Sequence, residues 1–83
     1  MTSWNPSISI DPEADAAYVA ISGADVARTE EVADGILVDY DADGRPVGIE
    51  VLSVRSRVGT GEAGSYLRGL AEGVLATGQQ AAE

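Results

Sequence analysis

The 83-residue chain contains no cysteine, no histidine and no phenylalanine, and all five of its cationic side chains are arginines. Without cysteine it cannot form a disulfide, and without cysteine or histidine it cannot build a thiolate or imidazole zinc site. The absence of histidine, cysteine and lysine leaves carboxylates and tyrosines as the candidate general bases. We therefore expect a protein that is not an enzyme and carries no cofactor. We also expect a domain of this size to be stabilised by good packing or by self-association.

Basic residues are scarce, because fourteen acidic side chains face five arginines and the net charge is −9. This balance argues against nucleic-acid binding, which relies on lysines and arginines that replace counterions on the phosphates. The N-terminus shows no basic stretch followed by an apolar core, and no apolar run approaches the roughly 20 residues of a spanning helix. With the lack of cysteine, these features predict a cytoplasmic protein without membrane contact. The acidic surface serves solubility or attracts a basic protein partner.

Most of the chain alternates between apolar and polar residues in short segments that are separated by turn-forming residues. Alternation with period two predicts strands. The predicted strands span residues 7–10, 16–22, 26–32, 36–40 and 46–54. Their connections are rich in Asp, Gly and Pro, which favour tight turns between antiparallel neighbours. We predict an antiparallel sheet of about five strands in meander order, with one strongly apolar face.

The period changes in the last third of the chain, where apolar residues recur every three to four positions. This spacing predicts an amphipathic helix over residues 65–77. Ser65 is the candidate N-cap and Gly78 the candidate terminator. Gly69 and Gly73 each lower the intrinsic stability of this helix by roughly 1 kcal/mol relative to alanine. The helix must therefore dock on the apolar face of the sheet to persist.

Together these elements predict a single α+β domain over residues 1–83, with the sheet within residues 8–57 and the C-terminal helix packed on one face. Residues 1–6 and 79–83 are expected to be loose termini, and Trp4 is expected to contact the edge of the core or a neighbouring subunit. A helix of about three turns covers only part of an apolar sheet face. We therefore expect the chain to form a homo-oligomer, with a dimer as the simplest arrangement.

One acidic segment has the spacing of a calcium-binding loop. Asp39, Asp41, Asp43 and Glu50 occupy positions one, three, five and twelve of an EF-hand loop, and Gly44 occupies position six. An EF-hand needs a helix on each side, whereas both flanks here alternate like strands. We interpret the segment as a β-hairpin turn. A weak divalent-cation site that uses Asp39, Asp41, Asp43 and Glu50 is the alternative.

Three further acidic residues, Asp11, Glu13 and Asp15, share one turn, where carboxylates most often cap backbone N–H groups and a bound divalent ion is the alternative. The segment Gly59-Thr-Gly-Glu-Ala-Gly64 has the bare spacing of a phosphate-binding loop and comes between a predicted strand and a predicted helix. It lacks a parallel βαβ unit, so we interpret it as a linker.

Two pairs of residues near the C-terminal end have more than one interpretation. Arg55 and Arg57 follow the last strand, where they either pair with nearby acids or bind an anionic partner. Gly69 and Gly73 are separated by one helical turn, so they are either unremarkable small residues or a surface for close helix–helix contact.

Three sequence blocks resemble a known family. They are Asp-Pro-Glu-Ala-Asp-Ala-Ala-Tyr-Val from residue 11, Arg-Thr-Glu-Glu-Val from residue 28, and the segment from Gly35 to Leu52. In this order, over residues 8–57, they are similar to the short bacterial proteins grouped as domain of unknown function number 2283. The resemblance implies a small β-rich domain without an assigned activity or agreed catalytic residues. Some members are similar to companions of small toxin genes, which implies an antitoxin or regulatory role.

The chain departs from the family pattern at two positions. It has Ile10 where an aromatic residue is commoner and Ala17 where leucine is commoner, and we expect both to reduce the volume of the core. Taken together, sequence and resemblance predict a small bacterial protein–protein interaction or regulatory module of the antitoxin kind. A divalent-cation-binding module at Asp39, Asp41 and Asp43 is the alternative.

Overall fold

The structure is a computed structural model that describes residues 7–59 and 61–81, with side chains as far as residue 76. The expectations for Trp4 and for residues 1–6 lie outside the described residues. The elements follow in the order β1 (Ser7–Asp11), β2 (Ala16–Ala20), β3 (Arg28–Ala33), β4 (Ile36–Tyr40), β5 (Pro46–Leu52), α1 (Val54–Val58) and α2 (Ala63–Ala81).

The five strands form one antiparallel sheet in the order β1-β2-β5-β4-β3, and a helix follows at the C-terminal end. The predicted α+β class is therefore confirmed. Meander order holds within β1–β2 and within β3–β4–β5, whereas β2 adjoins β5 rather than β3. The composition of the strands explains this arrangement. The most buried strand, β5, takes the centre, and the fully exposed and charged β3 takes an edge, where charged side chains discourage further pairing.

Strand boundaries agree with the sequence at β4 and shift elsewhere. Strand β2 ends before Ile21, because the N–H groups of Ile21 and Ser22 both donate to the carbonyl of Val47, at 2.8 and 3.1 Å. Strand β5 ends before Ser53, whose φ of 56° turns the chain into α1. The extension of the last strand to Val54 was wrong, since Val54 begins α1 and is buried.

The core lies between the sheet and α2. Val19, Val38 and Ile49 point from three adjacent strands and are fully buried. Leu67 and Ala71 of α2 are fully buried in the same cluster. Ala17 belongs to this core as well, so its small size does limit core volume.

The other departure from the family pattern has no such effect. Ile10 lies on the edge strand β1 and is 50% exposed, so its size does not set the volume of the core.

Helix α1, which the sequence did not reveal, is held against the β1–β2 turn. The carboxylate of Asp15 accepts a hydrogen bond from the Arg55 N–H at 3.0 Å, and the Asp15 carbonyl accepts one from Val54 at 3.0 Å. The Arg55 guanidinium donates to the carbonyl of Pro12 at 2.7 Å. Asp15, with φ 55°, thus satisfies the free N–H groups of a helix from a distant turn.

Arg57 of α1 contacts the β3–β4 turn. Its side chain donates to the carbonyls of Leu52 and Asp34, each at 2.6 Å. Gly35 has φ 76°, and a Cβ there would collide with the Arg57 guanidinium. The sequence-based pairing of these arginines with acids holds for Arg55, 3.9 Å from Asp15, and is wrong for Arg57, which binds backbone carbonyls.

Helix α2 is longer than its periodicity indicated. It begins at Ala63, so Ser65 lies inside the first turn, and the Ser65 hydroxyl donates to the Glu62 carboxylate at 2.7 Å. The Tyr66 N–H donates to the Glu62 carbonyl at 3.2 Å. The helix continues through Gly78 to Ala81, so Ser65 as N-cap and Gly78 as terminator were wrong. Of the expected loose end over residues 79–83, the structure places residues 79–81 in the helix, and residues 82 and 83 lie outside the described residues.

The docking of α2 can be tested with a pair of leucines. Leu67→Ala removes a fully buried side chain from the core, and we expect the free energy of unfolding to fall by about 2–4 kcal/mol. Leu52→Ala is the matched control, because Leu52 is 39% exposed and its loss should cost less than about 1 kcal/mol. Urea denaturation measures both variants. Equal costs would contradict the docking of α2.

Candidate functional site

The outer face of the sheet, away from α2, carries a polar bridge across four strands. The Tyr18 hydroxyl on β2 donates to one oxygen of the Asp39 carboxylate on β4 at 2.8 Å. The Thr29 hydroxyl on β3 donates to the other oxygen at 2.6 Å. Strand β5 lies between β2 and β4, and it is crossed by the Tyr18 ring. The bridge therefore ties β2, β4 and β3 together over the central strand.

Gly48 makes this bridge possible. A Cβ at Gly48 would collide with the Tyr18 hydroxyl and ring, so the ring lies where any other residue would place its side chain. A glycine inside a strand often marks such a close approach. The residue pairs Tyr18↔Glu50 and Asp39↔Gly48 set the register that brings the hydroxyl to the carboxylate.

The bridge also changes the acidity of Tyr18. Burial is the first cause that raises its pKa, the hydrogen bond to Asp39 is the second, and the negative charges of Asp39 and Glu50 add to both, bringing it to about 12. The phenol therefore keeps its proton at neutral pH and acts as a hydrogen-bond donor. This suits a structural role for Tyr18.

The candidate calcium loop is the β4–β5 hairpin, as the flanking alternation predicted. The Asp41 carboxylate accepts the N–H groups of Asp43 and Arg45, each at 2.9 Å, and Gly44 takes φ 81°. Asp39 is used in the bridge to Tyr18 and Thr29.

The last residue of the candidate set, Glu50, pairs with Leu37 in the strand register, away from the turn. Within residues 7–59 and 61–81, no three side chains of His, Cys, Asp or Glu are grouped to hold a metal ion. The cation role of Asp39, Asp41, Asp43 and Glu50 stays a prediction without a described geometry that favours it.

The other acidic turn also satisfies backbone groups. The Asp11 carboxylate accepts the N–H groups of Glu13 and Ala14 at 3.1 and 3.3 Å, and Asp15 binds α1.

The glycine-rich segment that starts at Gly59 connects α1 to α2. The prediction that it lies between a strand and a helix, as a phosphate-binding loop does, was therefore wrong. The Gly61 N–H donates to the Val58 carbonyl at 2.7 Å.

On the helix side, an open groove of about 830 Å³ lies between α2 and the β3–β4 part of the sheet. Apolar side chains form much of its walls: Val32, Val38 and Tyr40 from the sheet, and Tyr66, Leu70 and Val74 from α2. Ser65, Gly69 and Gly73 add a small-residue edge along the helix. A concave, mostly apolar site of this size is typical of binding sites.

The groove exists because α2 lies to one side of the sheet. The helix contacts β5 and β2, and β3 lies two strands away from β5. Val32 of β3 is consequently 50% exposed although it lines the groove. The charged members of the lining, Arg28 and Glu30, pair at 2.7 Å, and the Arg28 guanidinium lies 4.6 Å from the centre of the Tyr40 ring. The groove is therefore neutral in charge.

Sequence reasoning missed the polar bridge, and it expected an incompletely covered sheet face without placing the groove between α2 and β3–β4. The signal for the bridge was Gly48 within an otherwise apolar strand. The signals for the groove were the exposed character of β3 and the spacing of Gly69 and Gly73. A Cβ at either of these two glycines would meet nothing within 4 Å, so the helix backbone is open along this edge.

A double-mutant cycle tests the contact between Gly48 and Tyr18. We expect Gly48→Ala to lower the free energy of unfolding by about 1–3 kcal/mol, because the new methyl group displaces the ring. In a Tyr18→Ala background the cost should nearly vanish, since alanine then has room and suits a strand better than glycine. Urea denaturation provides the four values. Gly23→Ala, where nothing lies within 4 Å, is the control. Simple additivity would refute the contact.

The raised pKa of Tyr18 predicts a loss of stability in alkali. The folded chain holds the Tyr18 proton up to about pH 12, whereas the unfolded chain releases it near the ordinary value of 10.0. The contribution of the retained Tyr18 proton to the free energy of unfolding is complete below pH 10 and is lost as the pH rises towards 12. Because Tyr18 is half-buried and in contact with water, we expect this contribution to be about 1 kcal/mol. Denaturation at pH 9 and above should show the decline in the wild type and a smaller one in Tyr18→Phe. Parallel profiles would contradict the assignment.

Comparison with known proteins gives a family match to the segment that forms the sheet. The family model described as "Protein of unknown function (DUF2283)" matches residues 7–55, more than half of the chain. The match spans all five strands and ends before α2. Searches of curated proteins and of solved structures found no match. No described helix has the length and apolar character needed to cross a membrane. On the strength of the matched strands, this chain belongs to the DUF2283 family.

Proposed function

We propose that this protein is a protein–protein interaction module, with a regulatory role of the antitoxin kind, and that it binds another polypeptide in the groove between α2 and β3–β4. The observation that carries the proposal is the groove itself, an open and largely apolar concavity beside α2 on the β3–β4 side of the sheet. The resemblance of some family members to companions of small toxin genes supports the regulatory part.

The apolar lining of the groove supports protein binding. The floor is formed by Val38, which is fully buried, and the rim includes Val32, which is half exposed. When a partner covers apolar surface that is partly open to water, the complex is stabilised by about 25 cal/mol per Å² of that surface. Tyr40 and Tyr66 add aromatic area, which is common in the centre of protein interfaces.

The helix wall of the groove supports a helical or extended partner at close range. Gly69 and Gly73 lie one turn apart, and neither has a neighbour within 4 Å of its Cβ position. A partner's backbone can therefore approach α2 more closely than side chains would permit. Each glycine lowers the intrinsic stability of α2 by about 1 kcal/mol relative to alanine, and binding at this edge would give the sequence a reason to keep them.

The described polar side chains support binding rather than chemistry. Asp39, Tyr18 and Thr29 are engaged with one another on the outer face, away from the groove. The Ser65 hydroxyl at the groove edge donates to the carboxylate of Glu62. Polar groups that already have partners are suited to holding a fold in place.

The native chain lacks cysteine, so a single introduced cysteine carries a photo-crosslinker at one known position. Val32→Cys places it in the groove and Ser9→Cys places it on the exposed outer face of β1. After irradiation in native cell extract, we expect a discrete protein adduct from Val32→Cys and none from Ser9→Cys. Mass spectrometry of the adduct measures the outcome.

A second substitution separates groove binding from random capture. Gly73→Gln fills the helix wall of the groove, and it should reduce the Val32→Cys adduct by about ten-fold, the effect of a loss near 1.4 kcal/mol. Gly23→Gln, at another glycine with open space, should leave the yield unchanged. Equal adducts from both cysteines, or none from either, would show that the groove does not bind protein.

A further inference from the structure

We infer that the occupant of the groove is helix α2 of a second copy of this chain, so that the protein forms a two-fold dimer in which each copy fills the groove of the other. This inference rests on the proposed function, because it names the partner of the same site.

The position of α2 makes the arrangement reciprocal. Each α2 contacts its own β5 and β2, and it leaves the groove over β4 and β3 open beside it. A second helix placed alongside would cover that open part. Under two-fold symmetry the first helix then covers the same part of the partner's sheet. The result is two sheets that enclose a layer of two helices, and both open grooves are filled.

The small residues of α2 provide the surface for this helix pair. Ser65, Gly69 and Gly73 recur every four residues, and all three line the groove. Residues at this spacing share one flank of a helix. Nothing lies within 4 Å of a Cβ at either glycine, so the flank is smooth and unoccupied in the single chain. Two such flanks can approach to less than the usual 8–10 Å between helix axes.

Charge selects this surface for contact between two copies. Each copy has a net charge of −9, so copies repel each other unless they meet at a neutral surface. The outer face presents the acids Glu31, Asp39 and Glu50 from adjacent strands. The charged groove residues, Arg28 and Glu30, instead balance one another. An Arg–Glu pair in one copy is also complementary in charge to the same pair in a copy related by a two-fold axis.

The dimensions agree with a helix as occupant. The groove follows α2 from Ser65 to Val74, a distance of about 14 Å at the rise of an α-helix. The helix has 19 residues and is about 28 Å long. It is therefore long enough to fill the partner's groove while Leu67 and Ala71 stay in its own core.

Sedimentation equilibrium on the purified chain tests the inference. We expect the wild type to show twice the chain mass of 8.5 kDa at high concentration and to dissociate on dilution. Gly73→Gln should weaken the dimer by about ten-fold or more, equivalent to about 1.4 kcal/mol. Gly23→Gln is the control for an added side chain and should dissociate like the wild type.

A second variant separates loss of the dimer from loss of the fold. Gly69→Ala with Gly73→Ala adds two methyl groups to the flank while improving the intrinsic helix propensity of α2. We expect this variant to be folded, with a melting temperature at high dilution equal to or above that of the wild type, and yet to dimerise more weakly. A dimer that neither set of substitutions weakens would overturn the inference, because the copies would then meet elsewhere.

The outcomes distinguish this inference from the proposed function. A monomeric wild type whose Val32→Cys adduct in cell extract contains a different protein overturns the second copy as occupant and leaves the groove as a binding site. A monomeric wild type with no groove adduct overturns both. A dimer that is weakened by Gly73→Gln, with a Val32→Cys adduct of twice the chain mass, supports both.

Discussion

The structure depends on the fact that a single helix must cover one face of a five-stranded sheet. Five strands at about 4.8 Å spacing make a face roughly 19 Å wide between the outer strands, whereas a helix with its side chains is about 10–12 Å wide. Helix α2 lies over β5 and β2, where Val19, Ile49 and Leu67 are fully buried. The groove over β3 and β4 is a part of the face that α2 is too narrow to cover, and Val32 is half exposed for that reason.

The sheet itself is held by contacts that do not depend on α2. On the outer face, Tyr18 reaches over Gly48 to Asp39, so three strands share one hydrogen-bonded group above the central strand. Arg55 and Arg57 bind the β1–β2 and β3–β4 turns through backbone carbonyls. These contacts lie within or beside residues 7–55, the segment that the family model matches. The matched segment thus contains the five-stranded sheet, and the helix wall of the groove lies outside it.

Period and turn chemistry were enough to predict the strands, the β4–β5 hairpin and the presence of a C-terminal helix. They were insufficient where a distant contact decides the local structure. The last strand ends early and α1 begins because Asp15, about forty residues earlier, caps the N–H of Arg55. The pairing of β2 with β5 was not predicted for a related reason. Alternation shows which residues share a face, but the neighbour of β2 is chosen by how much apolar surface β5 and β3 each offer.

Gly69 and Gly73 illustrate why the candidate site was harder to predict than the fold. In the sequence they are either unremarkable small residues or a helix–helix contact surface, and each weakens a helix that already depends on docking. In the structure they face open space, where alanine would fit without a clash and would stabilise the helix. Residues that lower stability without a steric need in the single chain point to a requirement outside it. Their position along the groove, beside the part of the sheet that α2 leaves open, is the reason why we propose that a second chain binds there.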